Sequence, residues 1–216
     1  QILMEKDPGY LANLQALDAV ERARLLDGNW KIRPAAGLYF NRSWVEVVDR
    51  VPPNLQIVRY SDLAGTRVTK SNKPDWTVSV KMGLCPSSGI WYILDVERKQ
   101  VSPMDVERGI KMNAERDGKD VTVGYPQDPG QAGKFQAAHF ARMLAGYNVK
   151  SLRETGDKVT RFSPVSAQFE QGNIRVLRGP WNHAYFGALE GFPDYGKDDG
   201  DEMAGEFEML YKTGMR

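Results

Sequence analysis

The sequence predicts a mixed α/β fold built on one open sheet. Two observations carry this. From Leu55 onward, short β-rich runs are first joined by tight turns and then alternate with helical periods. In addition, the helical segment from Met104 ends at Gly118, and a later one opens at Pro180. The length of 216 residues suits one ordinary domain with an appendage.

The elements follow in order. LQIVRYSD (Leu55 to Asp62) reads as a first strand, WTVSVKMGL (Trp76 to Leu84) as a second and IWYILDVER (Ile90 to Arg98) as a third, with CPSSG between the last two as a plain turn. MDVERGIKMNAERDG (Met104 to Gly118) has helical spacing and ends on a glycine. DVTVGYPQD (Asp120 to Asp128) is a fourth strand, residues 134–144 a helix and NVKSLR (Asn148 to Arg153) a fifth strand. Beyond Thr155 the chain reads as a loop to Gly179, interrupted by a short strand IRVLRG. A helix from Pro180 and a final helix from about Asp199 to Tyr211 close the sequence. Upstream, residues 8–27 read as an amphipathic helix and 29–53 as an aperiodic segment that packs onto something. Three antiparallel strands followed by helix, strand, helix and strand make a βββαβαβ order, that of the ribonuclease H-like (retroviral integrase-like) fold.

Composition narrows the function classes. Hydrophobic residues are 41% and charged residues 26% of the chain, as in globular proteins. No apolar run approaches the roughly 18 residues of a membrane span, and no signal-peptide pattern opens the chain. One cysteine, Cys85, excludes an internal disulfide, and with two histidines it leaves too few ligands for a zinc finger. The formal net charge of +1 conceals segregation. Six basic residues stand against three acids between Lys150 and Arg178, whereas eight acids stand against Lys197 alone between Glu190 and Glu208.

YPQDPGQAGKF (Tyr125 to Phe135) resembles a phosphate-binding loop and fails as one. The motif G-x-x-x-x-G-K-[ST] needs a glycine where Asp128 stands and a hydroxyl where Phe135 stands. What remains is an acid in a glycine-rich turn. Carboxylates are the hard oxygen donors that Mg²⁺ favours, and two-metal phosphodiester hydrolysis needs several of them converging from separate elements. In a sheet of this order the first and fourth strands are central neighbours, so Asp62 and Asp128 can face each other. KDDGDEMAGEF supplies Asp198, Asp199 and Asp201 at the start of the last helix, where acids also act simply as caps. Asp95 competes with Asp128, with Glu97 on its own face of the strand. Lys134, Lys158, Arg161, Arg175 and Arg178 are candidates for DNA phosphate contacts.

Taken together, these residues resemble the C-terminal nuclease domain of the large terminase subunit of tailed bacteriophages. The stretches YLANLQALDAVERARLLDGNW, RPAAGLYF, RYSDLAGT, KPDWTVSVKMG, QDPGQAGK, TGDKVTRFSPVSAQFEQGN and RGPWN follow in that family's order. The resemblance implies an endonuclease dependent on Mg²⁺ or Mn²⁺, with two ions, that cuts concatemeric double-stranded DNA. Asp62 matches the family's first-strand acid, Asp128 the acid after the fourth strand and Asp199 the second acid of an H-D-D motif. Lys197 replaces the histidine of that motif, and the spacing to Asp201 is one residue short.

The resemblance also implies a domain division, with residues 1–53 the end of an ATPase domain and its linker and 54–216 the nuclease. No ATPase activity is expected of the fragment. Its implied partners are the ATPase domain, the small terminase subunit and the portal, in the host bacterial cytoplasm and transiently at the procapsid portal, with no membrane. The alternatives are a junction resolvase or transposase-type nuclease, or a non-catalytic DNA-binding or motor-docking module.

Overall fold

The computed structural model describes residues 15, 17, 22, 24–26, 28, 39–61, 63, 76–127, 130–153, 156–193 and 197–214. The side chains of 197–199, 201–202 and 213–214 are excepted. Most of the amphipathic segment at 8–27 therefore lies outside the described residues.

The strands are β1 (Glu46–Val48), β2 (Gln56–Ser61), β3 (Thr77–Leu84), β4 (Trp91–Lys99), β5 (Thr122–Pro126), β6 (Val149–Leu152) and β7 (Ile174–Leu177). The helices are α1 (Pro103–Asp117), α2 (Gln131–Met143), α3 (Lys158–Glu170), α4 (Asn182–Glu190) and α5 (Lys197–Gly214). The strands form one sheet in the order β1-β7-β4-β3-β2-β5-β6. Strands β2, β3 and β4 are an antiparallel meander, whereas β5 joins β2, β6 joins β5 and β7 joins β4 in parallel. Parallel pairs need crossovers, and the intervening helices provide them.

Alternation sorts the meander onto two faces. Val58, Tyr60, Val78, Val80 and Met82 enter the main core with Phe162, Phe169 and Leu210. Val123 and Tyr125 enter a second core with Val106, Ile110 and Phe140 under α1 and α2. The sheet is thus covered by α1 and α2 on one side and by α3, α4 and α5 on the other. A bulge refines the pattern in β4: Lys81 pairs with Asp95 but Met82 with Ile93, leaving Leu94 as an extra residue. Strict alternation would put Ile93 and Asp95 on the same face. The bulge sends Ile93 and Val96 into the main core and leaves Asp95 to charged partners.

Two sequence expectations change here. The stretch Thr155 to Gly179 is mostly helix: Asp157 caps α3, its carboxylate accepting from Thr160 N at 2.9 Å, and α3 runs to Glu170. Pro164 inside α3 and the small polar residues hide the helical period, yet Phe162, Val165 and Phe169 still align toward the core. The stretch at 29–53, read as aperiodic, contains the edge strand β1, whose Val47 pairs with Val176. Tyr39 and Phe40 are buried beside it, and the Phe40 ring meets Phe169 edge-on at 4.8 Å. Three residues of strand are too short to show alternation.

Candidate nuclease site

Strands β2 and β5 lie side by side and run the same way, Tyr60 facing Gly124 across the pair. Their C-terminal ends, Ser61 and Pro126, therefore finish at one edge of the sheet. Asp62 follows Ser61 in sequence and Asp128 follows Pro126 by two. Both acids lie outside the described residues.

Helix α5, which carries a third acidic segment in its sequence, packs over the same two strands. Gly205 packs on the Tyr60 ring near the end of β2. The Phe207 ring lies tilted against Trp91, with ring centroids 4.3 Å apart. Trp91 begins β4, which runs parallel to β2 in the meander, so it sits at the opposite end of the sheet. Met209, one turn past Gly205, packs against Gly124 level with Tyr60, so this part of α5 lies over the adjacent ends of β2 and β5. Asp198, Asp199 and Asp201 belong to the first turns of α5; nothing is described of their side chains. Among the described residues, no three His, Cys, Asp or Glu are grouped to hold a metal ion.

Two glycines allow this arrangement. A methyl group on Gly205 would stand 2.6 Å from the Tyr60 ring, and one on Gly124 would stand 2.7 Å from both Tyr60 and the Met209 sulfur. Helix and sheet approach this closely only because neither position carries a side chain.

The opposite face of β2 is anchored by charge. The guanidinium of Arg59, only 3% exposed, donates to Asp117 through Nε and to Asp95 through Nη2 at 2.6 Å. Lys81 reaches Asp117 at 2.9 Å, and Arg116 ties Asp95 at 3.1 Å and Glu97 at 2.7 Å. Burial would raise the Asp117 carboxyl, but the Arg59 and Lys81 cations outweigh it and hold it below the usual range. Burial likewise opposes Glu97, yet Lys99 and Arg116 bring it down to about 2. Asp95, the rival for a metal-binding role, is therefore committed to two arginines on the α1 face.

A different acid went unnoticed in the sequence. Glu206 on α5 is 0% exposed, and neither of its carboxyl oxygens has a hydrogen-bond partner with good geometry. Burial pushes its carboxyl well above the ordinary value, against the weaker pull of Arg59 and of the Met82 and Tyr60 backbone. A fifth acid in an acidic helix resembles another solvated charge. Only its helical phase with the buried Met203 and Leu210 could have marked it as inward-facing.

The basic candidates are dispersed. Lys134 is exposed in the first turns of α2, the helix that leaves the β5 end. Lys158 opens α3, which follows β6 and starts from the same edge. Arg161, one turn in, lines a groove of about 610 Å³ between α3 and α5. Arg175 and Arg178 stand three strands from β2 and are paired, Arg175 with Glu46 at 2.8 Å and Arg178 with Asp49 at 2.6 Å. Gly130, with φ of +99°, caps α2 and allows the strand-to-helix turn that the failed phosphate-loop motif encodes.

Comparison with known proteins agrees with this architecture. The terminase RNase H-like domain family matches residues 59–206, and the chain belongs to that family. Among solved structures, the large terminase nuclease domain of phage P22 is similar with a TM-score of 0.56 at 12% identity, covering 80% of this chain and 90% of that one. The large terminase nuclease from thermophilic phage G20c, solved with bound zinc, is similar with a TM-score of 0.51 at 16% identity, covering 77% and 94%. At these identities the likeness establishes the fold. No curated protein matches the chain in sequence.

Proposed function

We propose that the chain is the metal-dependent endonuclease of a viral genome-packaging terminase, cutting concatemeric double-stranded DNA. The observation that supports this most is the shared sheet edge. Strands β2 and β5 end there side by side, and α5 packs over those ends through Gly205 and Met209. Each of these three segments brings an acid: Asp62, Asp128 and, from α5, Asp199 with Asp198 and Asp201 as neighbours. Family membership supports the nuclease reading independently.

The donor set fits Mg²⁺ or Mn²⁺, two ions shared among carboxylates, better than a soft metal, since the chain has one cysteine and two histidines. Such ions supply acidified water and charge neutralisation at the scissile phosphate. The protein's own part is to hold the acids on rigid elements. The Arg59 network fixes β2 from one face, and the Gly205–Tyr60 contact fixes α5 on the other. Lys134 and Lys158, on helices that start at this edge, hold the DNA backbone. ATP hydrolysis is left to another part of the motor, whose further partners are the small subunit and portal; residues 39–48 are built into this fold, with Tyr39 and Phe40 in its main core and β1 paired with β7.

The test is nicking of supercoiled plasmid in Mg²⁺, Mn²⁺ or EDTA by the wild type and by Asp62→Asn, Asp128→Asn and Asp199→Asn. Cleavage that requires metal and is abolished in each folded variant supports the reading. DNA binding without cleavage at any metal concentration would leave a non-catalytic docking module.

A further inference from the structure

Phe135 is 74% exposed, more than any other large apolar side chain described. It lies in α2, where Gly133 and Phe140 turn inward. Beside it a groove of about 380 Å³ runs between α1 and α2, backed by Val106 and Phe140 and bordered by Leu63 and Pro103. That is roughly ten times the ~30 Å³ that a water molecule occupies in the liquid. Glu107 and His139 bridge the two helices across the groove at 3.1 Å. The groove opens at the candidate site's edge of the sheet. Leu63 is the second residue past β2, Pro103 begins the helix after β4 and Phe135 belongs to the helix after β5.

A single exposed aromatic ring is ordinary, but one that continues into an adjoining apolar groove offers a contiguous contact surface. Two neighbouring features indicate the partner's chemistry. Lys134, the preceding residue, is exposed and cationic, and the apolar groove continues directly from the edge assigned to phosphodiester chemistry. A flat apolar ring joined to an anionic backbone is a nucleotide, and nucleobases stack on aromatic side chains whatever their sequence.

We propose that Phe135 is a base-stacking residue: a base unstacked beside the scissile phosphate seats against its ring in the α1–α2 groove, with Lys134 on an adjoining phosphate. The inference rests on the nuclease reading and adds to it a local opening of the duplex. Stacking on the ring offsets the cost of unstacking the base, as apolar wedges do in other DNA-bending proteins.

Cleavage of two matched linear duplexes in Mn²⁺ tests it, one fully paired and one with a mispaired step at the mapped cut. Phe135→Ala should lose roughly tenfold in rate on paired DNA, the size of one lost base–aromatic contact, and far less on the mispaired substrate, where unstacking is already done. Phe135→Trp should restore the paired rate. Equal losses on both substrates, or no loss on either, would overturn the stacking role, the second result leaving the groove to a protein partner. Wild type that cuts neither DNA would overturn the nuclease reading and this inference with it, whereas active wild type with an indifferent Phe135→Ala removes this inference alone.

Discussion

Gly205 on α5 and Tyr60 on β2 touch backbone to ring: a methyl group on the glycine would lie 2.6 Å from the nearest ring carbon. The only relief is to move the helix or the ring, and the ring is 0% exposed in the main core. Gly205→Ala should therefore cost about 1–3 kcal/mol, the range for overpacking a filled core. Urea unfolding followed by circular dichroism reads it. Because α5 carries one of the acids, metal-dependent cleavage should fall by more than the lost stability explains. Unchanged cleavage in a destabilised but folded variant would show that the acids do not depend on this contact.

Removing Arg59 should be worse. It is the cation between Asp117 and Asp95, and Arg59→Met would leave Asp117, 5% exposed, with Lys81 at 2.9 Å and Arg116 more distant at 3.9 Å. A loss of about 3–5 kcal/mol is expected from breaking a buried pair on one side. Replacing both partners, Arg59→Met with Asp117→Leu, should recover much of it. Denaturant midpoints of the two single variants and the double variant decide the matter.

The same pair sets the acid response. The folded Asp117 carboxyl lies below its unfolded value. Its contribution is present above the unfolded value of about 3.9 and is lost as pH falls through the folded one. Stability measured against pH should decline on acidification in wild type and more gently in the Arg59→Met/Asp117→Leu protein.

Glu206 has the opposite sign. Its folded carboxyl is raised, so the folded state holds a proton that the unfolded state gives up. Stability from this group is full below about pH 4.3 and declines as pH rises toward the folded value. Glu206→Met, of similar volume, removes the unpartnered oxygens and should stabilise the protein at pH 8 by about 1–3 kcal/mol, with a smaller gain at pH 5. An equal gain at both values would show that Glu206 does not titrate in this way.

DNA affinity should separate the cations. Lys134→Ala should weaken duplex binding and lower the salt slope by roughly one. Arg178→Ala should change little, because that guanidinium pairs with Asp49 on the far part of the sheet. Anisotropy titrations at several salt concentrations distinguish them. A larger effect from Arg178 would place the DNA path across β7 and β1.

The meander, the crossover helices and the β2–β5 neighbourhood were legible because each depends on local period and turn chemistry. Helix α3 was not, since Pro164 and the residues around it weaken a helical signal that the core nevertheless enforces at Phe162 and Phe169. Strand β1 was invisible at three residues. In the site, the neighbourhood of β2 and β5, which Asp62 and Asp128 follow in sequence, could be read from strand order; the two acids themselves lie outside the described residues. The commitment of Asp95 to Arg59 could not, because it depends on a bulge at Leu94 and on α1 packing across the sheet. Burial of Glu206 and exposure of Phe135 are likewise properties of tertiary packing, silent in residue type alone.

The parallel pairing of β2 with β5 has a consequence for how the fold assembles. The two strands are neighbours in space, but β3, β4 and α1 lie between them in sequence, and α5 follows them all. Such a contact closes late, after the long intervening stretch has ordered. In the proposed nuclease, the three acid-bearing segments would meet only once those distant parts of the chain had come together.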